Sequence, residues 1–235
     1  MRGRRPRASL AGGTLGRGSG YCRRGGLVRP PSGRTDVSAG TGRDDQLGNA
    51  AGAPMRLLGV GGAVCVITPM RRRHLRRVMR IESVTYERHW TRSVFESELD
   101  QVGRGGRHYV VARIDGDIVG YGGLWVVAGG SAPTEAHITN IVVDEAHRRR
   151  GVGLALMCHL GRVARAEGAS AWTLEVRATA TGAHELYRRF GFAPAGVRRG
   201  YYENGTDAVV MWCHELGDDD YGHRLDALDP NRGGR

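Results

Sequence analysis

Three adjacent arginines, Arg148, Arg149 and Arg150, run straight into Gly151-Val152-Gly153. Upstream, His137, Thr139, Ile141 and Val143 alternate with Ile138, Asn140 and Val142 in a β-branched run that reads as a strand. Downstream, Val152, Leu156, Leu160 and Val163 recur at helical spacing, and Gly168 reads as the stop. A strand feeding a glycine-bearing loop that opens a helix aims free backbone N–H groups, and the positive end of the helix dipole, at one point. The glycines let the backbone come up to phosphate oxygens, and the guanidinia add charge-assisted hydrogen bonds. The stretch predicts an anion site, most naturally for a pyrophosphate. A dinucleotide-binding fingerprint would need glycine where Leu156 stands, and a Walker A loop needs a lysine, which this chain lacks throughout.

Two further positions could do chemistry. In Trp172-Thr173-Leu174-Glu175-Val176-Arg177 the apolar residues alternate with polar ones, so Thr173, Glu175 and Arg177 share one face of a strand. A carboxylate and a guanidinium there form either a solvated face or an active-site floor. The strand follows the phosphate-binding helix directly, and ligands of open sheets sit beyond strand C-terminal ends, which favours the floor. Tyr187 lies at apolar spacing with Ala183, Leu186 and Phe190 on a helix, Gly182–Phe190. It is either a core tyrosine with a satisfied hydroxyl or a proton donor.

Residues 1–54 are rich in Gly, Arg, Ser and Pro, without a period of 2 or 3.6, and read as a disordered leader or an upstream extension ahead of Met55. Residues 1–55 hold ten arginines and three aspartates, so they supply most of the formal +11. The basic balance is therefore mainly a property of the leader, which could be an RNA-binding arm, and it is only a weak argument for nucleic-acid binding by the folded part. Cys22, Cys65, Cys158 and Cys213 lie far apart without a C-x-x-C pair, which fits reduced thiols in a cytoplasmic protein. The histidines lack ligand spacing, so no metal is expected. The longest nearly apolar run, Leu57 to Thr68, is too short to cross a bilayer.

From Ala63 on, the pattern predicts a strand to Thr68, a helix over Met70–Ser83, and a second helix over Thr91–Gln101 with Thr91 as its cap. A hairpin follows, His108–Ile114 and Ile118–Val126, around Asp115-Gly116-Asp117; Gly120, Gly122 and Gly123 in its second arm suggest a bulge or a close approach. After the strand and helix of the anion site come strand Ala171–Arg177, helix Gly182–Phe190, and strands near Ala195–Tyr202 and Ala208–His214. The order implies an α/β fold with a mixed sheet over residues 55–216, and residues 217–235 read as a polar tail.

Arg148-x-x-Gly151-x-Gly153 is similar to the coenzyme-A signature of the GCN5-related N-acetyltransferases. Leu174-Glu175-Val176-Arg177, Leu186-Tyr187-Arg188-Arg189-Phe190-Gly191-Phe192, Arg198-Arg199-Gly200-Tyr201-Tyr202 and Asp207-Ala208-Val209-Val210-Met211 resemble, in order and spacing, the ribosomal-protein alanine N-acetyltransferases of that superfamily, the RimI family. The resemblance runs from about Val66 to Leu216. It implies the acetyltransferase fold, a mostly antiparallel sheet flanked by helices. It also implies acetyl-CoA as cosubstrate without a metal, and as partner a protein N-terminus, that of a ribosomal protein beginning with alanine, with no membrane. It puts a general base at Glu175 and a general acid at Tyr187. Coenzyme contacts fall on Ile141, Val142, Val143, Arg148, Arg149, Arg150, Gly151, Val152 and Gly153, and substrate contacts on Trp90, Arg177, Tyr201 and Tyr202. Two positions depart from the family pattern: Ala180 stands where an asparagine is common, and His89-Trp90-Thr91 where Pro-Trp-Ser is. Acetylation of a small amine or a lysine side chain, and a non-catalytic acyl-CoA or RNA-binding module, are the alternatives. The absence of G-x-S-x-G and of a Cys–His signature speaks against a covalent acyl-enzyme.

Overall fold

β-branched and aromatic residues at period 2 build the centre of the protein. The computed structural model describes residues 55–58, 64–202 and 204–230, all of them in the unit Asp44–Arg235; the leader of residues 1–54 lies outside them. Eight strands among these residues form one sheet: β1 (Met55–Leu58), β2 (Val64–Pro69), β3 (Arg107–Ile114), β4 (Asp117–Val127), β5 (Glu135–Val143), β6 (Ala171–Arg177), β7 (Ala193–Arg198) and β8 (Ala208–Cys213). Their order is β1-β2-β3-β4-β5-β6-β8-β7. Every neighbouring pair is antiparallel except β5 and β6. The mixed, mostly antiparallel α/β sheet is the one the sequence predicts.

Five helices flank it: α1 (Leu75–Thr85), entered through a 3-10 turn at Arg72–His74, α2 (Arg92–Asp100), α3 (Val152–Ala166), α4 (Thr181–Arg189) and α5 (Tyr221–Leu228). Thr91 caps α2 as its sequence suggests, its Oγ1 accepting from Val94 N at 3.4 Å. The hairpin turn places Asp115 at φ 50 and Gly116 at φ 91, the left-handed pair that a tight two-residue turn requires.

The sheet has two differently covered faces. On one, Leu75, Val78 and Ile81 of α1 and Phe95 of α2 pack against Tyr109, Val111, Tyr121 and Val142. On the other, α3 and α4 pack Ala155, Leu156, Leu160, Tyr187 and Phe190 against Ile138, Trp172, Leu174 and Val176. Thr173, Glu175 and Arg177 alternate with the buried positions of β6 and so point to the α1 side.

The segment read as a polar tail is corrected by α5. Tyr221 and Leu225 join the α3 core, 3% and 1% exposed, and the Tyr221 hydroxyl donates to the Phe190 carbonyl at 2.5 Å. Asp226 and Asp229, which make the segment look solvated, both receive Arg162 of α3, at 3.0 and 2.8 Å. Too few apolar residues stand in it for periodicity to reveal a helix, and its charges are consumed by a partner distant in sequence.

Candidate active site

β5 and β6 pair over only Glu135–Ala171, Ala136–Trp172 and His137–Thr173. Beyond His137 they separate, while β5 stays on β4 as far as Val143. The cause is local. Between Gly123 and Leu124 the register shifts, leaving Thr139 as the extra residue of β5. A Cβ on Gly123 would come within 2.3 Å of Thr139 Oγ1 and 2.4 Å of the Tyr109 ring, so only glycine admits the bulge. The glycines of β4 thus serve the bulge and close approach that their spacing suggests. Past it, the β6-facing edge of Asn140, Ile141, Val142 and Val143 has no strand to bond among the described residues, which leaves backbone donors and acceptors along the fork. Asn140 Oδ1 is buried there without a hydrogen-bond partner, a feature invisible in the sequence.

The fork leads to the start of α3. Gly151 is its N-cap at φ 79, and no side chain caps the helix; Arg149 is also left-handed, at φ 62. After this double reversal the N–H groups of Val152, Gly153 and Leu154 have no acceptor among the described residues. Val152 itself is buried in the core. Gly153 is small for packing: a Cβ would meet Leu186 of α4 at 3.2 Å. Arg148 Nε donates to the Val143 carbonyl at 3.4 Å, which ties the loop to β5. Arg148, Arg149 and Arg150 are exposed, and the acids within reach of Arg148 and Arg149, Glu145 at 3.7 Å and Glu185 at 4.0 Å, lie at the outer limit of pairing. An uncapped helix start, free strand edge and exposed guanidinia fit a pyrophosphate carried on a strand-like amide chain.

The candidate base and acid lie on opposite faces of the fork. Glu175, on the α1 side, is 11% exposed; Arg198 Nη2 reaches its Oε1 at 3.1 Å and His137 Nε2 its Oε2 at 3.3 Å. Burial first, then Arg198 and Arg107, holds His137 below its ordinary range against the pull of Glu175. The imidazole is therefore neutral at pH 7, and the contact makes Nε2–H the donor. Tyr187, on the α4 side, is 7% exposed. Burial, with Tyr86 and Tyr202 adding, pushes its hydroxyl well up, so it stays protonated. It makes no hydrogen bond among the described residues, unlike a satisfied core tyrosine, and none joins it to Glu175.

Around this pair stand the substrate candidates. The Arg177 guanidinium stacks over the Tyr202 ring at 4.0 Å, Tyr201 meets Tyr202 edge-on at 5.1 Å, and Arg198 lies 5.8 Å from the Tyr201 ring. Trp90 is anchored differently. Its ring packs on Phe95 at 5.3 Å and its backbone N–H donates to Glu82 at 3.0 Å, so it shapes the α1–α2 turn. Glu82 is 3% exposed; burial raises it, while Trp90 N–H, the Tyr121 hydroxyl and His89 oppose the rise. Tyr86, Glu82, His137 and Arg198 are candidate site residues that sequence reasoning missed. Ala180, at the N-cap of α4, provides no side-chain cap. Cys65 and Cys158 are buried thiols, pushed up to about 11 and about 12, and no nucleophiles at neutral pH. No helix among the described residues is long and apolar enough to cross a membrane.

A forked sheet with an uncapped helix start beside it is the architecture that an acyl-coenzyme-type transferase requires. The acetyltransferase (GNAT) family profile matches residues 75–192, and the chain belongs to that family. It is similar to a Bacillus subtilis protein provisionally named a ribosomal protein bS18-alanine N-acetyltransferase, 34% identical over 144 residues, 61% of this chain and 91% of that one. It is also similar to the N-alpha-acetyltransferase RimI of Mycobacterium tuberculosis, 39% identical over 123 residues, 52% of this chain and 73% of that one. The crystal structure of the Escherichia coli ribosomal-protein-S18-alanine N-acetyltransferase superposes with a TM-score of 0.56 at 28% identity, covering 64% of this chain and 94% of that one.

Proposed function

We propose that the chain transfers the acetyl group of acetyl-CoA to the N-terminal α-amine of a protein, with a ribosomal protein beginning with alanine as the substrate. The observation that carries the reading is the fork itself: a carboxylate on one face, a protonated phenol on the other, and an unpaired strand edge between them. The names of the similar proteins from B. subtilis and E. coli support the substrate.

In this reading acetyl-CoA enters from the α3–α4 side and the amine from the α1 side. The first N–H groups of α3 and Arg148 to Arg150 take the pyrophosphate, and the backbone of Ile141 to Val143 takes the amide chain and polarises the thioester carbonyl. An α-amine with a pKa near 8 is largely protonated at neutral pH. Glu175 accepts its proton, directly or through water, while Arg198 and His137 hold the carboxylate in place. The amine nitrogen then attacks the acyl carbon, the C–S bond breaks, Tyr187 protonates the departing thiolate, and the second proton shed by the nitrogen as the amide forms passes through water to restore the phenol. No covalent acyl-enzyme is needed.

The test is acetyl transfer to two peptides followed by mass spectrometry, one with a free N-terminal Ala and one N-blocked with an internal Lys. Acetylation of the first alone is expected. Acetylation of the blocked peptide, or of neither, would overturn the reading.

A further inference from the structure

Net charge points to residues 1–55, but the folded part holds a concentrated positive surface of its own. No acidic residue occurs from Gln46 to Ile81, whereas Arg71, Arg72, Arg73, Arg76, Arg77 and Arg80 all fall in that interval, at and just inside the start of α1. Two are neutralised. Arg72 pairs with Asp100 at 2.6 Å, and Arg77 is held by Asp144 and by the Ile118 carbonyl. Arg71, Arg73, Arg76 and Arg80 are exposed, with no acidic partner among the described residues. A shallow cleft of about 300 Å³ is lined by Arg73, Arg76, Arg77 and Arg80 alone.

This is a poor arrangement for the helix. Arg72 with Arg76, Arg73 with Arg77, and Arg76 with Arg80 are like-charge neighbours at i,i+4, which weaken a helix. The charges also crowd its N-terminal end, where the macrodipole is already positive. An ordinary solvated face mixes signs; this one lacks its counter-charge. The positive field reaches inward: burial first, then Arg73, Arg113 and Arg71, holds His74 below its ordinary range.

We infer that the Arg71–Arg73–Arg76–Arg80 surface docks the phosphate backbone of RNA. Guanidinia on successive turns, spread over about 14 Å along the axis, offer paired N–H donors to a row of phosphates. A membrane surface fits poorly, because Leu75, Val78 and Ile81, the apolar face of α1, are already buried against the sheet. An acidic polypeptide would want pockets for apolar side chains between its carboxylates, and the cleft is walled by arginine side chains alone. The inference goes beyond the acetyl-transfer reading and places the enzyme on the RNA beside its protein target. Binding is measured without turnover, so either reading can fail alone.

The experiment is fluorescence anisotropy of a labelled RNA hairpin with the full chain, as wild type and as Arg71→Gln/Arg73→Gln/Arg76→Gln. The triple variant should lose about ten-fold or more in affinity at low salt, and its log–log salt slope should shrink by about 3. Acetylation of a free Ala peptide should be unchanged, and the melting temperature equal or higher, since repulsion is removed. Arg188→Gln/Arg189→Gln on α4 should leave RNA binding as it was. Unchanged affinity in the triple variant would overturn the inference. So would an equal loss in the α4 control, a lower melting temperature of the triple variant, or binding to polyglutamate or phosphatidylserine vesicles as tight as to the hairpin.

Discussion

Replacing Glu175 by Gln keeps the side-chain shape and removes the charge, so it separates the carboxylate's chemical role from its structural one. Arg198, 36% exposed, loses an ion-pair partner at 3.1 Å, and His137 keeps an amide oxygen to bond. Water can reach the guanidinium, so the structural loss is about 1–2 kcal/mol, or a melting temperature lower by roughly 2–8 °C. The loss in kcat/KM should be much larger, on the order of 10²–10⁴, or about 3–5 kcal/mol of transition-state stabilisation, because Glu82, the other carboxylate described at the site, is already engaged by the Trp90 backbone N–H and the Tyr121 hydroxyl. Transfer to an Ala-initiated peptide, followed by release of the free thiol across a pH series, measures it. Between pH 6.5 and 9.5 the neutral fraction of an α-amine with a pKa near 7.8 rises roughly twenty-fold, and the defect should shrink in step. A variant within about three-fold of wild type, or one whose defect is the same at every pH, would refute proton removal by Glu175.

Tyr187→Phe should lower kcat by roughly 10–100-fold with acetyl-CoA affinity retained by calorimetry and no rescue at high pH, because the lost proton goes to sulfur rather than comes from nitrogen. Its melting temperature should be near wild type, since the hydroxyl has no internal hydrogen bond to lose. Burial, reinforced by Arg162 and His108, brings His159 down to about 4; its folded pKa lies below the unfolded one, so its contribution is whole above about 6.5 and is lost as pH falls towards 4. Scanning calorimetry should show the melting temperature falling through that window, and falling less in His159→Gln. Leu225→Ala should cost about 2–5 kcal/mol, or roughly 5–15 °C in melting temperature, if α5 is part of the core rather than an appendage.

What the sequence made legible was whatever depends on neighbours along the chain. The alternation in Trp172–Arg177 assigns Glu175 and Arg177 to one face, the glycines of β4 announce a bulge, and Arg148–Gly153 announces the loop, all from local pattern. The partners of Glu175 were hidden, because His137 reaches it only through the short parallel pairing of β5 with β6, and Arg198 only from β7 across β8. Tyr86 and Glu82 look like ordinary residues at the end of a helix until the sheet brings Tyr121 and Tyr202 beside them. The helix α5 was hidden for the opposite reason: its sequence is locally polar, and the groups that fold it down, Arg162, the Phe190 carbonyl and the α3 core that takes Tyr221 and Leu225, are all distant along the chain.

Three residue pairs are all that join β5 to β6, so the sheet is two antiparallel halves held by a narrow hinge and by α3 behind it. A molecule seated in the gap supplies the bonds that an absent strand would have made, and it can do so only while the halves are in place. Occupancy therefore counts towards folding: at a hundred times its dissociation constant such a ligand adds about 2.7 kcal/mol to the folded state. The lifetime of the chain against proteolysis should then follow the concentration of free acetyl-CoA around it.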